Sequence, residues 1–162
     1  VTESPEGFEE SKLKADPENP DGWVRLRRQH PVFTRHRFLQ GHPVRDGIKE
    51  VAWLRPDGQE MTQNEWDMPF TRCVGVYLAG AAIQRVDGRG RPVRDDNFLV
   101  LFNAHHEAIP FILPEFHSGC GWLSVLDTAS DAKPFERRAF VARSQYSFQG
   151  RSVAVLTESE GA

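Results

Sequence analysis

Up to Gly47 the large apolar residues are sparse or spaced as on a helix; after it they gather in short runs of strand length, whose successive side chains fall on opposite faces. In GWVRLRRQH (22–30), Trp23, Leu26 and His30 recur at helical spacing behind a capping Asp21, and Pro31 ends the helix. KEVAWLR (49–55) predicts a strand with Val51 and Trp53 on one face and Ala52 and Leu54 on the other, closed by an Arg-Pro-Asp-Gly turn. Thr62-Gln63-Asn64-Glu65 carries the capping-box pattern and predicts about one helical turn. TRCVGVYLAG (71–80) is the next strand, and the Gly- and charge-rich VDGRGRPVRDDN (86–97) is expected to be an exposed loop. NFLVLFNA, AIPFILP, GWLSVLD, RAFVAR and RSVAVLT then follow as short strands separated by Pro, Gly, Asp or Ser. That rhythm predicts an all-β fold, an antiparallel β-sandwich preceded by a short N-terminal helix.

Composition narrows the picture. At 162 residues the chain is one ordinary domain, able to bury roughly 70% of its unfolded surface without a disulfide or metal staple. A net charge of −3 points to neither nucleic acid nor an anionic membrane, and no apolar run approaches the roughly 20 residues that span a bilayer. From Trp23 to Arg45 there are six arginines and no acid, without the aromatic interleaving of an RNA-binding surface. They read as a solvated helix face that lay against something acidic. Residues 1–22 are acidic and proline-punctuated, too poor in apolar side chains to offset their ordering entropy, and lack the apolar core of a signal peptide. They are expected to be a flexible tail, as are 158–162. Cys73 and Cys120 fit no CxxC-type spacing and are expected to be free thiols in a reducing cytoplasm.

Few residues suggest chemistry. His105-His106-Glu107 lies between two apolar runs, but neighbours on a strand point to opposite faces and zinc needs at least three protein ligands. The segment reads as a hairpin turn, with no metal. Asp95-Asp96 is a carboxylate pair, yet glycosidase carboxylates stand about 5 Å or more apart across the sugar. A solvated loop with Arg91 and Arg94 as partners suits these acids better. No nucleophile elbow, catalytic cysteine flank or phosphate loop is present. Trp53, Trp66 and Trp122 are candidate sugar-stacking platforms, with Tyr77 and Tyr146 as further candidates; in a strand the burial energy of tryptophan favours the core.

Six stretches in this order carry a resemblance: LRRQHPVFTRHRFLQG (26–41), VAWLRPDGQEMTQNEWDMPF (51–70), VGVYLAG (74–80), GRPVRDDNFLVLFNAHHEAIPFILP (90–114), WLSVLDTA (122–129) and GRSVAVL (150–156). Together they resemble the C-terminal portion of bacterial glycogen debranching enzymes of the isoamylase type, in the α-amylase superfamily, over about residues 23–156. The resemblance implies that 23–45 is the helix and linker ending a catalytic (β/α)8 barrel and that 46–157 is the C-terminal β-sandwich. It also implies hydrolysis of α-1,6 branch linkages by the parent enzyme with no nicotinamide, flavin or metal cofactor. The family's catalytic carboxylates lie on barrel strands that nothing here matches, so no catalytic residue carries over. A barrel of about 250 residues does not fit in this length, and an excised domain or truncated paralogue is expected. The expected role is structural, stabilising a barrel, and the alternative is a stand-alone α-glucan-binding module. Expected partners are the barrel, a second copy of the chain, or glycogen or another α-glucan. A small independent enzyme built on His105 and His106 ranks behind both.

Overall fold

The computed structural model describes residues 22–35, 38–39, 41, 43–45, 48–68, 72–130 and 136–160. The expected acidic tail lies outside the described residues except for Gly22, as do residues 161 and 162. Helix α1 (Gly22–Gln29) and a 3-10 turn at Pro31–Phe33 precede ten strands. These are β1 (Pro43–Arg45), β2 (Ile48–Lys49), β3 (Val51–Leu54), β4 (Cys73–Leu78), β5 (Phe98–Asn103), β6 (Ile109–Ile112), β7 (Cys120–Asp127), β8 (Ala139–Phe140), β9 (Gln145–Phe148) and β10 (Ser152–Glu160). A single turn, α2 (Gln63–Trp66), stands between β3 and β4. The fold is an all-β antiparallel sandwich with a short N-terminal helix.

Six strands form the main sheet in the order β3-β4-β5-β10-β7-β8, and β6 and β9 pair as a separate ribbon. Period-two alternation gives the sheet two apolar faces. On the inner face Leu54, Tyr77, Leu99, Leu101, Trp122 and Leu156 pack with Phe111, Tyr146 and Phe148 of the ribbon segment. Each such side chain stabilises the fold by about 1.5–3 kcal/mol on burial. The outer face carries Val51, Val76, Leu78, Phe98 and Val155, packed with Leu26 of α1 and Val32 of the 3-10 turn.

The connection through His105-His106-Glu107 corrects the expected hairpin. β5 pairs with β4 and β10, whereas β6 pairs with β9, so this segment carries the chain from one layer to the other. Asn103, 2% exposed, organises the crossing. Its side-chain amide donates to the carbonyls of Glu107 (3.1 Å), Phe148 (3.3 Å) and Gln149 (3.0 Å), and its oxygen accepts the His105 N–H at 2.9 Å. Gly150 lets the strands meet there, since a Cβ would stand 2.3 Å from the His106 carbonyl oxygen.

Three further expectations shift. RAFVAR pairs only at Ala139–Phe140, and the neighbouring QYSF, read as no strand in the sequence, is β9. In the 86–97 loop, Val86 bridges Pro92 and the tip is exposed, but the chain turns inward after Val93. Asp95 is therefore no solvated loop acid. Its Oδ1 meets His30 Nδ1 at 2.8 Å and its Oδ2 accepts the Val32 N–H at 2.9 Å, with the His30 and Asp95 side chains 6% and 7% exposed. Arg91 pairs with Asp87 instead. Nor is the whole arginine-rich stretch solvated: Arg35 is largely buried, donates to the Ala79 carbonyl at 2.6 Å and faces Glu50. Burial lowers its pKa, and Glu50 and Asp95 oppose that shift.

Two outcomes follow. Asp95→Ala removes the acceptor of the Val32 amide and the Asp95–His30 bond, and urea denaturation should show a loss of about 3 kcal/mol, with Asp95→Asn losing less. At Gly80 a Cβ would lie 2.0 Å from the Asp95 carbonyl oxygen, whereas at Gly88 it would meet nothing within 4 Å. Gly80→Ala should cost about 1–3 kcal/mol and Gly88→Ala less than about 0.5 kcal/mol.

Candidate functional site

The sheet's two faces are not closed equally. Among the described residues, the ribbon covers the inner face, while α1, the 3-10 turn and the segment after Val93 cover only part of the outer one. Pairing across the sheet sets Trp53 opposite Val76, Val76 opposite Val100 and Val100 opposite Val155. The adjoining row sets Val74 opposite Phe102 and Phe102 opposite Val153. Phe102 is 42% exposed and Trp53 39% exposed, with Val74, Val100 and Val153 half-buried around them. Trp23 and Val24 on α1 are exposed as well. The result is an apolar strip on the uncovered part of the outer face.

Trp53 and Trp66 come together at the edge of this strip. Their rings meet edge to face with centroids 5.1 Å apart, and Trp66 is 45% exposed. The capping box holds α2, and hence Trp66, in place: the Thr62 N–H donates to the Glu65 carboxylate at 2.7 Å and the Thr62 hydroxyl at 2.8 Å. These bonds, led by the Thr62 backbone N–H and joined by the Arg55 guanidinium, pull the Glu65 pKa down to about 2.

The third tryptophan is elsewhere. Trp122 is 1% exposed, with its indole N–H on the Pro114 carbonyl at 2.8 Å, so it has no face to offer a ligand. Tyr77 and Tyr146 are also in the core, and burial raises the pKa of both phenols. The Tyr146 hydroxyl donates to Asp127 at 2.6 Å. Cys73 is a buried free thiol, its pKa pushed up to about 11 by desolvation; Cys120 is free and half-buried.

His105 and His106 do not point apart as strand neighbours would, because they sit in the crossing and not in a strand. Their rings lie with centroids 4.2 Å apart. One ligand atom from each, with one from Glu107, falls within 4.8 Å of the others. However, His105 Nδ1 accepts the Glu107 backbone N–H at 3.1 Å, so the neutral ring carries its proton on Nε2. Metal binding through Nε2 requires that bond to break. His30, Asp95 and Asp96 form a second such group, but there the His30–Asp95 bond fastens the 3-10 turn to the sheet. Burial, then the neighbouring Asp95, raises the Asp96 pKa.

The sandwich matches known proteins over most of its length. Residues 50–157 match the family model described as isoamylase, C-terminal. The chain is 40% identical over 136 residues to a glycogen operon protein GlgX homolog of Mycobacterium bovis and equally to those of two Mycobacterium tuberculosis strains. The match covers 83% of this chain but 19% of each relative, so the chain spans about a fifth of the length of the proteins it matches. Spanning β3 to β10 and both layers of the sandwich, the family match shows that this chain belongs to the isoamylase C-terminal family.

Proposed function

We propose that the chain is the C-terminal β-domain of an isoamylase-type glycogen debranching enzyme, and that its task is to dock on and stabilise the catalytic barrel. The observation that carries this reading is the unequal closure of the sheet. Phe102, 42% exposed, lies toward the end of β5, between β4 and β10, on a face whose other end is covered by α1 and the 3-10 turn. Exposed contiguous apolar surface of this kind marks an interaction site. The mycobacterial relatives are about five times longer than the matched segment, and their name places them in a glycogen operon. Helix α1 covers the sheet beside the strip, and the barrel extends that cover over Trp53 and Phe102. Catalytic carboxylates are then the barrel's contribution. The free Cys73 and Cys120 fit work in the cytoplasm, and among the described residues no helix is long and apolar enough to cross a membrane.

A second reading has its own observation. The half-exposed, edge-to-face Trp53–Trp66 pair is flanked by the Arg55–Asp57 and Arg55–Glu65 ion pairs. That combination of rings and polar groups suits stacking of a glucan chain. In the first reading these rings become interface.

Substitution at Phe102 separates interface from fold. Phe102→Asp should leave the chain's own urea midpoint within about 0.5 kcal/mol of the parent, because the side chain is partly solvated. It should weaken association with a separately expressed isoamylase-type barrel fragment by tenfold or more in calorimetric titration. Equal binding by parent and variant, or association of the chain only with itself in light scattering, would remove the barrel-docking reading.

A further inference from the structure

Beside the end of β3, where Glu60 bridges Leu54, a groove of about 540 Å³ lies on the inner side of the sheet between the turn at 57–60 and the segment 112–116. It lies on the opposite face of β3 from Trp53: Ala52 and Leu54 line it, and they are the inner-facing residues of that strand. Its volume falls in the range of small-molecule sites, roughly 300–1,000 Å³.

The groove has a prepared aromatic platform. The Phe116 ring stacks on Tyr77 with centroids 3.8 Å apart and planes 23° from parallel. Tyr77, 4% exposed, is braced edge to face by Trp122 at 6.4 Å. One face of Phe116 is thus fixed on the core. Phe116 as a residue is still 39% exposed, and it lines the groove. A rigid ring backed by the core presents a flat apolar surface at small entropic cost.

The polar lining selects against charged ligands. Each carboxylate of the lining has a cation beside it: Glu115 with Arg143 at 2.6 Å, Asp57 with Arg55 at 2.8 Å and Glu60 with Lys49 at 2.6 Å. An anionic ligand would meet cations already neutralised, and a cationic one would have to displace them. A neutral ligand with many hydroxyls gains most: ion-paired carboxylates still accept hydrogen bonds, the exposed Gln59 side chain both donates and accepts, and the Phe116 ring packs on an apolar C–H face. Flat apolar faces ringed with hydroxyls are the chemistry of a pyranose chain.

We infer that this groove is a carbohydrate subsite that seats a segment of an α-linked glucan, with Phe116 as its stacking platform and Gln59, Glu115 and Arg143 as its hydrogen-bonding rim. The choice of an α-linked chain rests on the debranching-enzyme reading, whereas the choice of a neutral sugar rests on the groove alone. The subsite is separate from the outer face, so a chain docked on a barrel still presents it. In a debranching enzyme it would hold part of the polymer away from the catalytic centre, raising the local concentration of branches.

The test is calorimetric titration of the 162-residue chain with maltoheptaose, using cellohexaose as the linkage control. Binding of maltoheptaose is expected, weakened about tenfold or more by Phe116→Ala, retained in Phe116→Trp and unaffected by Trp53→Ala. Gln59→Ala, at an exposed side chain that does not touch Tyr77, should weaken binding without changing the urea midpoint. This separates loss of the ligand from loss of packing behind Phe116. No binding of either oligosaccharide would overturn the subsite and leave the barrel-docking reading standing. Binding abolished by Trp53→Ala and indifferent to Phe116→Ala would move the ligand to the tryptophan pair and overturn it too. Equal binding of cellohexaose would overturn the α-linkage while keeping the platform.

Discussion

On the outer side of the sheet, Asp95 decides how far the cover reaches. Its two oxygens hold His30 and the Val32 amide, residues more than sixty positions earlier in the chain. Both bonds are shielded from water, where an unpaired amide or carboxylate is costly. They pin the turn after α1, which brings Leu26 and Val32 over Val51, Leu78 and Phe98. The His30 ring completes the seal edge to face on Phe98, with centroids 4.7 Å apart.

This asymmetry connects folding to function. An antiparallel sheet commonly buries one face and solvates the other, with polar residues outward. Here both faces are apolar: Val74, Val76, Val100, Phe102 and Val153 occupy positions where a solvated sheet would carry Thr, Lys or Glu. A sequence that keeps valine and phenylalanine on both sides of central strands is built for a second covering layer. Among the described residues α1 and the 3-10 turn supply a fraction of that layer.

Much of the sandwich was legible in the sequence because period-two alternation is a local signal. β3, β4, β5 and β10 follow it, β7 follows it as far as a bulge at Val125, and the Thr62–Glu65 cap was readable from spacing alone. β9 carries the same signal in miniature, with Tyr146 and Phe148 inward and Gln145 and Ser147 outward, but four residues beside the stronger-looking RAFVAR did not stand out. What could not be read was anything set by distant partners. Asp95 sits in a run of glycine and charge whose composition implies solvent, and its burial depends on His30. Asn103 looks like an ordinary turn residue until its amide is seen tying together the carbonyls of Glu107, Phe148 and Gln149. Trp122 and Trp53 are both strand tryptophans; only the layer each faces separates a core anchor from a surface ring. Phe116, in the connection between β6 and β7, becomes conspicuous only through its stacking on Tyr77.

The central claim is that the outer sheet face is an interface left open in this chain and closed in the whole enzyme. Hydroxyl-radical footprinting of the chain, alone and with an isoamylase-type barrel fragment, tests it residue by residue. The account predicts that Phe102 and Trp53 label readily in the chain alone, that Trp122, Phe111 and Phe148 resist throughout, and that the barrel protects Phe102 and Trp53 while leaving Phe116 labelled. Phe102 labelling equally with and without the barrel, in a mixture shown to be complexed, would contradict it.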